Sequence, residues 1–307
     1  MRDSFAAELQ KKARQDERIV LLSGDIGNRM FDGLKDYNEK QFINCGIAEQ
    51  MMMGTAAGLA LSGLKPVVYT IAPFTTYRCF EQIRVDVCYN NAPVIIVGTG
   101  AGLSYASLGP THHSMEDIAI LRTLPNMTIF CPSGPKETRE GLEAAFEYQN
   151  PIYIRLGKKG EPDLYENSNK LKFGESVTLR EGHDACIIGT GPVLRQAIEA
   201  ADKLKFEGLS VRVENFHTVK PLDKIKLDEI STSFAQVFIV EEHGRIGGLF
   251  GAIAEQLSIQ KNNKIQLHPI SAADYFLHKI GDQNFAMDQY GINANAISSA
   301  IQNAIGR

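Results

Sequence analysis

The chain has 307 residues, of which 44% are hydrophobic and 22% are charged, and its formal net charge is −4. This composition is typical of a globular protein long enough for two domains. The negative balance without a large basic cluster argues against a nucleic-acid partner. No apolar run approaches the roughly 18–20 residues of a membrane span, and residues 1–9 are too acidic for a signal peptide. We therefore expect a cytoplasmic protein with no membrane partner.

The elements of the first half alternate between apolar strands and helices. Strands are predicted at 18–23, 41–44, 66–70, 93–97, 127–130 and 152–155. Helices are predicted at 4–14, 48–61 and near 77–89. Such alternation is typical of a parallel sheet that helices cover on both faces.

Residues 157–174 interrupt this pattern, because they are polar and rich in Gly, Pro and Asn, and they indicate a linker. A second series follows, with strands at 185–189, 210–213, 237–241 and 266–269 and helices near 193–204 and 249–259. The predicted fold class is α/β, with two domains at 1–160 and 175–307, each a largely parallel sheet covered by helices.

Five cysteines, at 45, 79, 88, 131 and 186, are scattered along the chain without a CxxC pair. An odd count at irregular spacing argues against a disulfide framework and against a zinc site. We expect buried, reduced thiols.

Glu49 follows a predicted strand and opens a helix rich in Gly and Ala, within Asn-Cys-Gly-Ile-Ala-Glu-Gln at 44–50. A carboxylate in the first helical turn is favoured by the helix dipole, so a purely structural role explains it. The alternative is a buried acid in an apolar wall, with a raised pKa, that shares a proton with a bound cofactor.

Residues 109–113 read Gly-Pro-Thr-His-His. Two adjacent histidines suggest a metal pair, but neighbouring side chains point apart and no further ligand has useful spacing. The alternative is that His112 bonds substrate oxygens and moves protons near neutral pH, with His113 supporting it or exposed.

The segments 46–50, 80–84 and 109–112 match motifs of one family, GxAEQ, a helix following stacking aromatics, and GPTH. On these residues the chain resembles the C-terminal part of transketolase, and the related parts of deoxyxylulose-phosphate synthase and of 2-oxo-acid dehydrogenase β subunits. The match extends along nearly the whole chain. It implies a domain that binds the pyrimidine of thiamine diphosphate, followed by the family's C-terminal domain.

The resemblance also implies roles for single residues. Glu49 would activate the cofactor's pyrimidine, and His112 would bind substrate and act in catalysis. Phe74, with Tyr77 as second choice, would stack on the pyrimidine, although both rings equally suit a core. An ungapped match of the following helix instead places Thr75, which is not aromatic, at the family's most constant stacking position. The remaining expected contacts are Asp25 beside the thiazolium, and Arg155 and Arg2 on a substrate phosphate.

Two positions depart from the sugar-phosphate transketolases. Leu108 stands where those enzymes carry an Asp that contacts a substrate hydroxyl, and Gly100 stands where they carry a further substrate His. A leucine cannot form the hydrogen bond, so substrate recognition is expected to differ there.

The family holds Mg²⁺ and diphosphate with a GDG segment, and neither Gly24-Asp25-Ile26 nor Gly281-Asp282-Gln283 matches it. We therefore expect an N-terminal transketolase subunit, as a separate chain, to supply the Mg²⁺ ligands. The expected assembly is α₂β₂, and the expected reaction moves a two-carbon ketol unit from a ketose to an aldose, both small-molecule sugars. The alternatives are a 2-oxo-acid dehydrogenase β subunit and a non-catalytic stabilising subunit of a thiamine-diphosphate enzyme.

Overall fold

The computed structural model describes residues 1–27, 29–158, 160–165, 170–260 and 265–306. The strands are β1 (Ile19–Ser23), β2 (Phe42–Asn44), β3 (Lys65–Ile71), β4 (Ile95–Thr99), β5 (Thr128–Phe130), β6 (Ile152–Leu156), β7 (Val177–Arg180), β8 (Ala185–Gly189), β9 (Val211–Asn215), β10 (Thr218–Lys220), β11 (Gln236–Gly244) and β12 (Gln266–Ala272).

The α-helices are α1 (Arg2–Ala13), α2 (Asp32–Tyr37), α3 (Glu49–Leu61), α4 (Ala72–Thr76), α5 (Phe80–Gln82), α6 (Asp117–Arg122), α7 (Pro135–Phe146), α8 (Leu194–Phe206), α9 (Lys224–Ser233), α10 (Leu249–Ser258), α11 (Gln283–Tyr290) and α12 (Ala294–Ile305). The helix predicted near 77–89 forms as α5 followed directly by a π-helix, Ile83–Tyr89.

The strands assemble into two sheets, a seven-stranded one in the order β10-β5-β6-β4-β3-β1-β2 and a five-stranded one in the order β12-β11-β8-β9-β7. In the first, strands β1 to β6 run parallel to one another. Every residue of β1, β4, β6, β8 and β9 is buried, because helices cover both faces of these parallel strands. The predicted α/β class is therefore confirmed.

The sequence pattern does not predict two of the strands. β7 pairs antiparallel with β9 at the edge of the second sheet, and β10 pairs antiparallel with β5 at the edge of the first. The chain thus returns to the first sheet after it has begun the second. Both strands are short and lie at sheet edges, so neither carries the long apolar run of a central strand.

One apolar cluster joins the two sheets. It contains Val68 and Ile96 from the first sheet and Ile188 and Ile239 from the second, all fully buried. Dense packing of this kind holds the two sheets against each other. The five cysteine thiols are free, and all except Cys45 are buried.

The predicted linker at 157–174 contains neither helix nor strand in its described part, and its residues 159 and 166–169 lie outside the described ranges. Within the described residues, no helix combines the length and the apolar character needed to cross a membrane.

Candidate active site

Two of the predicted site residues lie at one edge of the first sheet, where Asp25 follows β1 and Glu49 follows β2. Gly100 and Lys158 follow β4 and β6 at the same edge. Because parallel strands end at the same edge, residues far apart in sequence meet there, and ligands of open α/β sheets usually bind at such edges.

Glu49 is the first residue of α3, and its side chain is 6% exposed. Gly46, with φ of +63°, turns the chain between β2 and α3. Asn44 stabilises this turn, since its Oδ1 accepts a hydrogen bond from the Gly46 N–H at 2.9 Å and its Nδ2 donates to Asp25 Oδ1 at 3.1 Å. Asn44 therefore links the loop that carries Asp25 to the turn that leads to Glu49.

Phe74 lies beside both Glu49's ion-pair partner and His112. Arg78 Nη1 donates to Glu49 Oε1 at 2.9 Å, and the Arg78 guanidinium carbon lies 3.8 Å from the centroid of the Phe74 ring. The Phe74 and His112 rings meet edge to face at 5.4 Å. These four side chains form a continuous group, which we call the Glu49 cluster.

Tyr77 is engaged elsewhere. Its hydroxyl donates to Glu116 Oε2 at 2.7 Å and accepts from the Glu116 N–H at 3.2 Å. Thr75, which directly follows Phe74, is buried, and its hydroxyl donates to the Ala72 carbonyl at 3.0 Å. Phe74 is thus the ring in contact with the rest of the Glu49 cluster.

His112 is held in a form suited to proton exchange. Its Nδ1 lies 2.9 Å from the Thr111 hydroxyl oxygen. Partial burial, followed by the positive charges of Arg78 and His113, lowers the pKa of His112 below its usual value of 6.5. The imidazole is therefore mainly neutral at pH 7 and can accept a proton. His113 lies apart from it, with Nε2 3.3 Å from the Ala106 carbonyl oxygen.

The structure explains why position 100 is a glycine. Its φ is +80°, and a Cβ at this position would lie 2.1 Å from two carbons of the Tyr105 ring. The ring lies 6.2 Å from the His112 ring, and Lys158 Nζ lies 5.0 Å from its centroid. Tyr105 thus fills the space that a side chain at position 100 would require.

Arg155, the residue expected on a substrate phosphate, lies buried within β6. Its side chain is 3% exposed, and its Nε donates to Asp117 Oδ2 at 2.8 Å. Its Nη2 donates to the carbonyls of Ser114 at 2.7 Å and of Glu242 at 3.0 Å. In the chain without ligand the guanidinium is thus engaged in contacts that tie β6 to the end of β11, and its expected phosphate contact stays a prediction.

Asp117 is the centre of that buried group. It also accepts a hydrogen bond from the Tyr153 hydroxyl at 2.7 Å, and the His243 Nε2 lies 3.8 Å from its other oxygen. Burial alone would raise the pKa of Asp117, but the charges of Arg155 and His243 lower it. We call these four side chains the Asp117 cluster.

Arg2 lies in the first turn of α1, 3.8 Å from Asp3 by its Nε. That Nε is buried and has no hydrogen-bond partner among the described residues. Burial raises the pKa of Tyr69, and the Thr99 hydrogen bond and the Arg2 charge partly offset this rise. Its expected phosphate contact stays a prediction.

Arg78, Tyr105 and Lys158 are not recognisable as functional from local sequence. Arg78 falls within a predicted helix, and Lys158 falls within the predicted linker. The signal that points to Lys158 is its place directly after a central parallel strand, where functional side chains collect. Among the described residues, no group of three His, Cys, Asp or Glu side chains is placed to hold a metal ion.

Comparisons with known proteins agree with this architecture. Residues 1–161 match the family model "Transketolase, pyrimidine binding domain", and residues 174–297 match "Transketolase, C-terminal domain". A protein of Phocaeicola vulgatus described as one of the subunits of apulose-4-phosphate transketolase is 36% identical, with 96% of this chain and 94% of that protein covered. A Clostridium sp. protein described as a 6-deoxy-6-sulfo-D-fructose transketolase subunit is 31% identical, over 98% of this chain and 92% of that protein.

A solved structure described as "Split gene transketolase, inactive beta4 tetramer" superposes with a TM-score of 0.89 at 33% identity, covering 99% of this chain and 97% of that one. The family models together match most of the chain, and these relatives match it almost end to end. The chain therefore belongs to the transketolase family, as a pyrimidine-binding domain joined to a transketolase C-terminal domain.

Proposed function

We propose that this chain is the C-terminal subunit of a two-chain transketolase that depends on thiamine diphosphate. The observation that carries the proposal is the Glu49 cluster, in which a buried carboxylate, an aromatic face and a neutral histidine lie together. Relatives of matching length described as transketolase subunits support the two-chain form, and they favour it over a dehydrogenase subunit.

The residues present fit the pyrimidine of the cofactor. The space between Glu49 and Phe74 already accepts a planar nitrogen group, because the Arg78 guanidinium lies over the ring at 3.8 Å and donates to the carboxylate at 2.9 Å. Thiamine diphosphate, when bound, supplies the nucleophilic carbon that receives the two-carbon unit. Glu49 would hold the pyrimidine through a shared proton, Phe74 would stack on it, and Asp25 would lie near the thiazolium.

His112 would bind substrate oxygens and exchange protons with them. Its lowered pKa keeps the imidazole mainly neutral at pH 7, and it borders Phe74 directly. The transferred group would be a ketol unit that passes from a ketose to an aldose acceptor. The partner subunit would hold the diphosphate and its Mg²⁺.

For the anionic end of the substrate, Lys158 replaces Arg155 in the proposal. Lys158 lies at the sheet edge beside Tyr105, whereas Arg155 is buried in the Asp117 cluster. The named substrates of the two relatives carry a phosphate in one case and a sulfonate in the other. A lysine ammonium suits either group, because it acts as a point charge rather than as a planar fork.

Self-association through α3 belongs to the same proposal. Ile47, just before α3, is 79% exposed, Met51 and Leu61 of α3 are also exposed, and a Cβ added to Gly58 would meet no atom within 4 Å. Such an apolar helix face suits an obligate interface, and a second copy of this chain fits because the split-gene relative is described as a beta4 tetramer. The expected full assembly is α₂β₂.

The test is reconstitution. The chain alone should show neither tight thiamine diphosphate binding by calorimetry nor ketol transfer, and both should appear on addition of an N-terminal subunit with a GDG segment. Sedimentation of the chain alone should give a dimer or larger species, which Met51→Glu should weaken. Turnover by the isolated chain would refute the two-chain proposal. A chain that stays monomeric at micromolar concentration, with and without the N-terminal subunit, would refute self-association.

A further inference from the structure

The Arg78 side chain occupies a specific place within the Glu49 cluster. Its guanidinium lies over the Phe74 ring at 3.8 Å and donates to Glu49 Oε1 at 2.9 Å. The Arg78 side chain is 47% exposed, whereas Glu49 is 6% exposed. One end of the ion pair is therefore fixed in the protein, and the other reaches in from the surface.

A guanidinium and an aminopyrimidine share two properties. Both are flat, so both stack on an aromatic ring, and both present nitrogen donors in their own plane to a carboxylate. In this chain the two properties meet the same two partners, Phe74 and Glu49. Arg78 and a pyrimidine therefore cannot make these contacts at the same time.

We propose that Arg78 is a placeholder for the cofactor's pyrimidine. In the chain without cofactor it covers the Phe74 face and pairs with the buried Glu49 carboxylate, which would otherwise be left without a partner at a high energetic cost. When the pyrimidine enters, the Arg78 side chain swings toward solvent and releases both contacts. The inference rests on the proposed function, since it assumes thiamine diphosphate at this site.

The exchange is feasible because of the exposure of Arg78. The guanidinium can return to water, and the pyrimidine that replaces it gives the buried Glu49 carboxylate a new partner, so the exchange leaves no buried charge unpaired. Occupation of the site by Arg78 still limits the fraction of molecules that can bind the cofactor, and the apparent affinity is the intrinsic affinity multiplied by that fraction. Removal of the guanidinium should therefore tighten cofactor binding.

The first measurement uses the isolated chain and requires neither the partner subunit nor catalytic activity. Because the Arg78 charge contributes to the lowered pKa of His112, an NMR titration of His112 in the isolated chain should give a higher pKa in Arg78→Gln than in wild type. Arg84→Gln is the matched control, since Arg84 lies in the following π-helix and pairs with Glu81 at the surface. An unchanged His112 pKa in Arg78→Gln would show that Arg78 does not lie in the cluster in solution, and would overturn the inference.

The deciding readout is the dissociation constant of thiamine diphosphate, measured by calorimetry with Mg²⁺ on the two-chain complex. Arg78→Gln should bind about threefold to tenfold more tightly than wild type, as expected when a competing conformation is removed. Arg84→Gln should equal wild type. Equal or weaker binding by Arg78→Gln overturns the placeholder role while leaving the proposed function intact. A wild-type complex that does not bind the cofactor overturns both.

Discussion

Two arginine–carboxylate pairs of this chain look alike in distance and differ in what surrounds them. Arg78 donates to Glu49 at 2.9 Å, and Arg155 donates to Asp117 at 2.8 Å. Arg78 is 47% exposed, whereas Arg155 and Asp117 are 3% and 0% exposed. In the first pair the Arg78 guanidinium can move into solvent when another partner takes its place on Glu49, whereas the second pair cannot open without leaving both of its charges buried and unpaired.

This difference in exposure suits the Glu49 cluster to binding and the Asp117 cluster to structural support. The Glu49 cluster offers a ring face and a carboxylate whose present partner can leave, which is what a binding site requires. The Asp117 cluster joins β6 to the end of β11 through fully buried contacts, so it holds the two sheets together.

The largest expected effect concerns catalysis. Glu49→Gln keeps the shape of the side chain but cannot share the proton, so ketol transfer by the two-chain complex should fall by about 10²–10⁴-fold. The measurement is kcat under saturating cofactor, with Glu81→Gln as control because Glu81 is an exposed carboxylate on the adjacent helix. Activity of Glu49→Gln within threefold of wild type would contradict the proposed role.

The second prediction tests the Asp117 cluster. Asp117→Asn should lower the free energy of unfolding by about 3–5 kcal/mol, because the buried Arg155 charge loses its counter-ion. Glu255→Gln is the control, since Glu255 pairs with Arg122 at the surface and its loss should cost under about 1 kcal/mol. Urea unfolding of the isolated chain measures both, and a similar loss in the two variants would erase the distinction between the clusters.

The third prediction concerns the choice of donor substrate beside the Glu49 cluster. Leu108 is 55% exposed and lies in the turn that leads to His112, where it cannot pair with a sugar hydroxyl. Xylulose 5-phosphate should therefore be a mediocre donor. Leu108→Asp should raise its kcat/KM by about 5-fold to 100-fold, the equivalent of about 1–3 kcal/mol for a restored hydrogen bond.

The comparison that decides this third point uses a second donor lacking that hydroxyl, whose kcat/KM should not rise in Leu108→Asp. An unchanged ratio between the two donors would show that Leu108 does not set donor choice.

The smallest expected effect is the dependence of the free energy of unfolding on pH, which comes from two buried groups at the end of β11. Burial raises the pKa of Glu241 to about 7 and lowers that of His243 to about 4, from ordinary values of 4.5 and 6.5. The charged neighbours of these groups are Asp117, Arg155 and Arg122. Between pH 4.5 and 6.5 the folded chain holds a proton on Glu241 that the unfolded chain lacks, and lacks one on His243 that the unfolded chain holds.

These two contributions have opposite signs. Glu241 contributes stability that is present below pH 4.5 and is lost as the pH rises through 7, whereas His243 contributes stability that is present above pH 6.5 and is lost as the pH falls through 4. The slopes cancel in wild type between pH 4.5 and 6.5. In His243→Gln the free energy of unfolding should fall by about 1 kcal/mol per pH unit as the pH rises across this window. A flat profile for His243→Gln would contradict the assignment.

Much of the fold was predictable from local pattern. The runs at 185–189 and 152–155 became β8 and most of β6, because strands buried on both faces are mostly apolar. The positions of Glu49 at a helix start and of His112 in a turn were likewise predicted, since both depend on residues within a few positions of them.

What the tertiary structure alone decided are contacts between distant residues. Whether an arginine can bind a ligand or is a buried support depends on the residues that pack over it. Asp117 and the carbonyl of Glu242 cover Arg155, whereas the Arg78 side chain stays half exposed. The Tyr105 ring against Gly100 and the return of β10 to the first sheet depend in the same way on long-range packing. Local periodicity specifies which face of an element is apolar, but the partner that buries this face is chosen only when the whole chain folds.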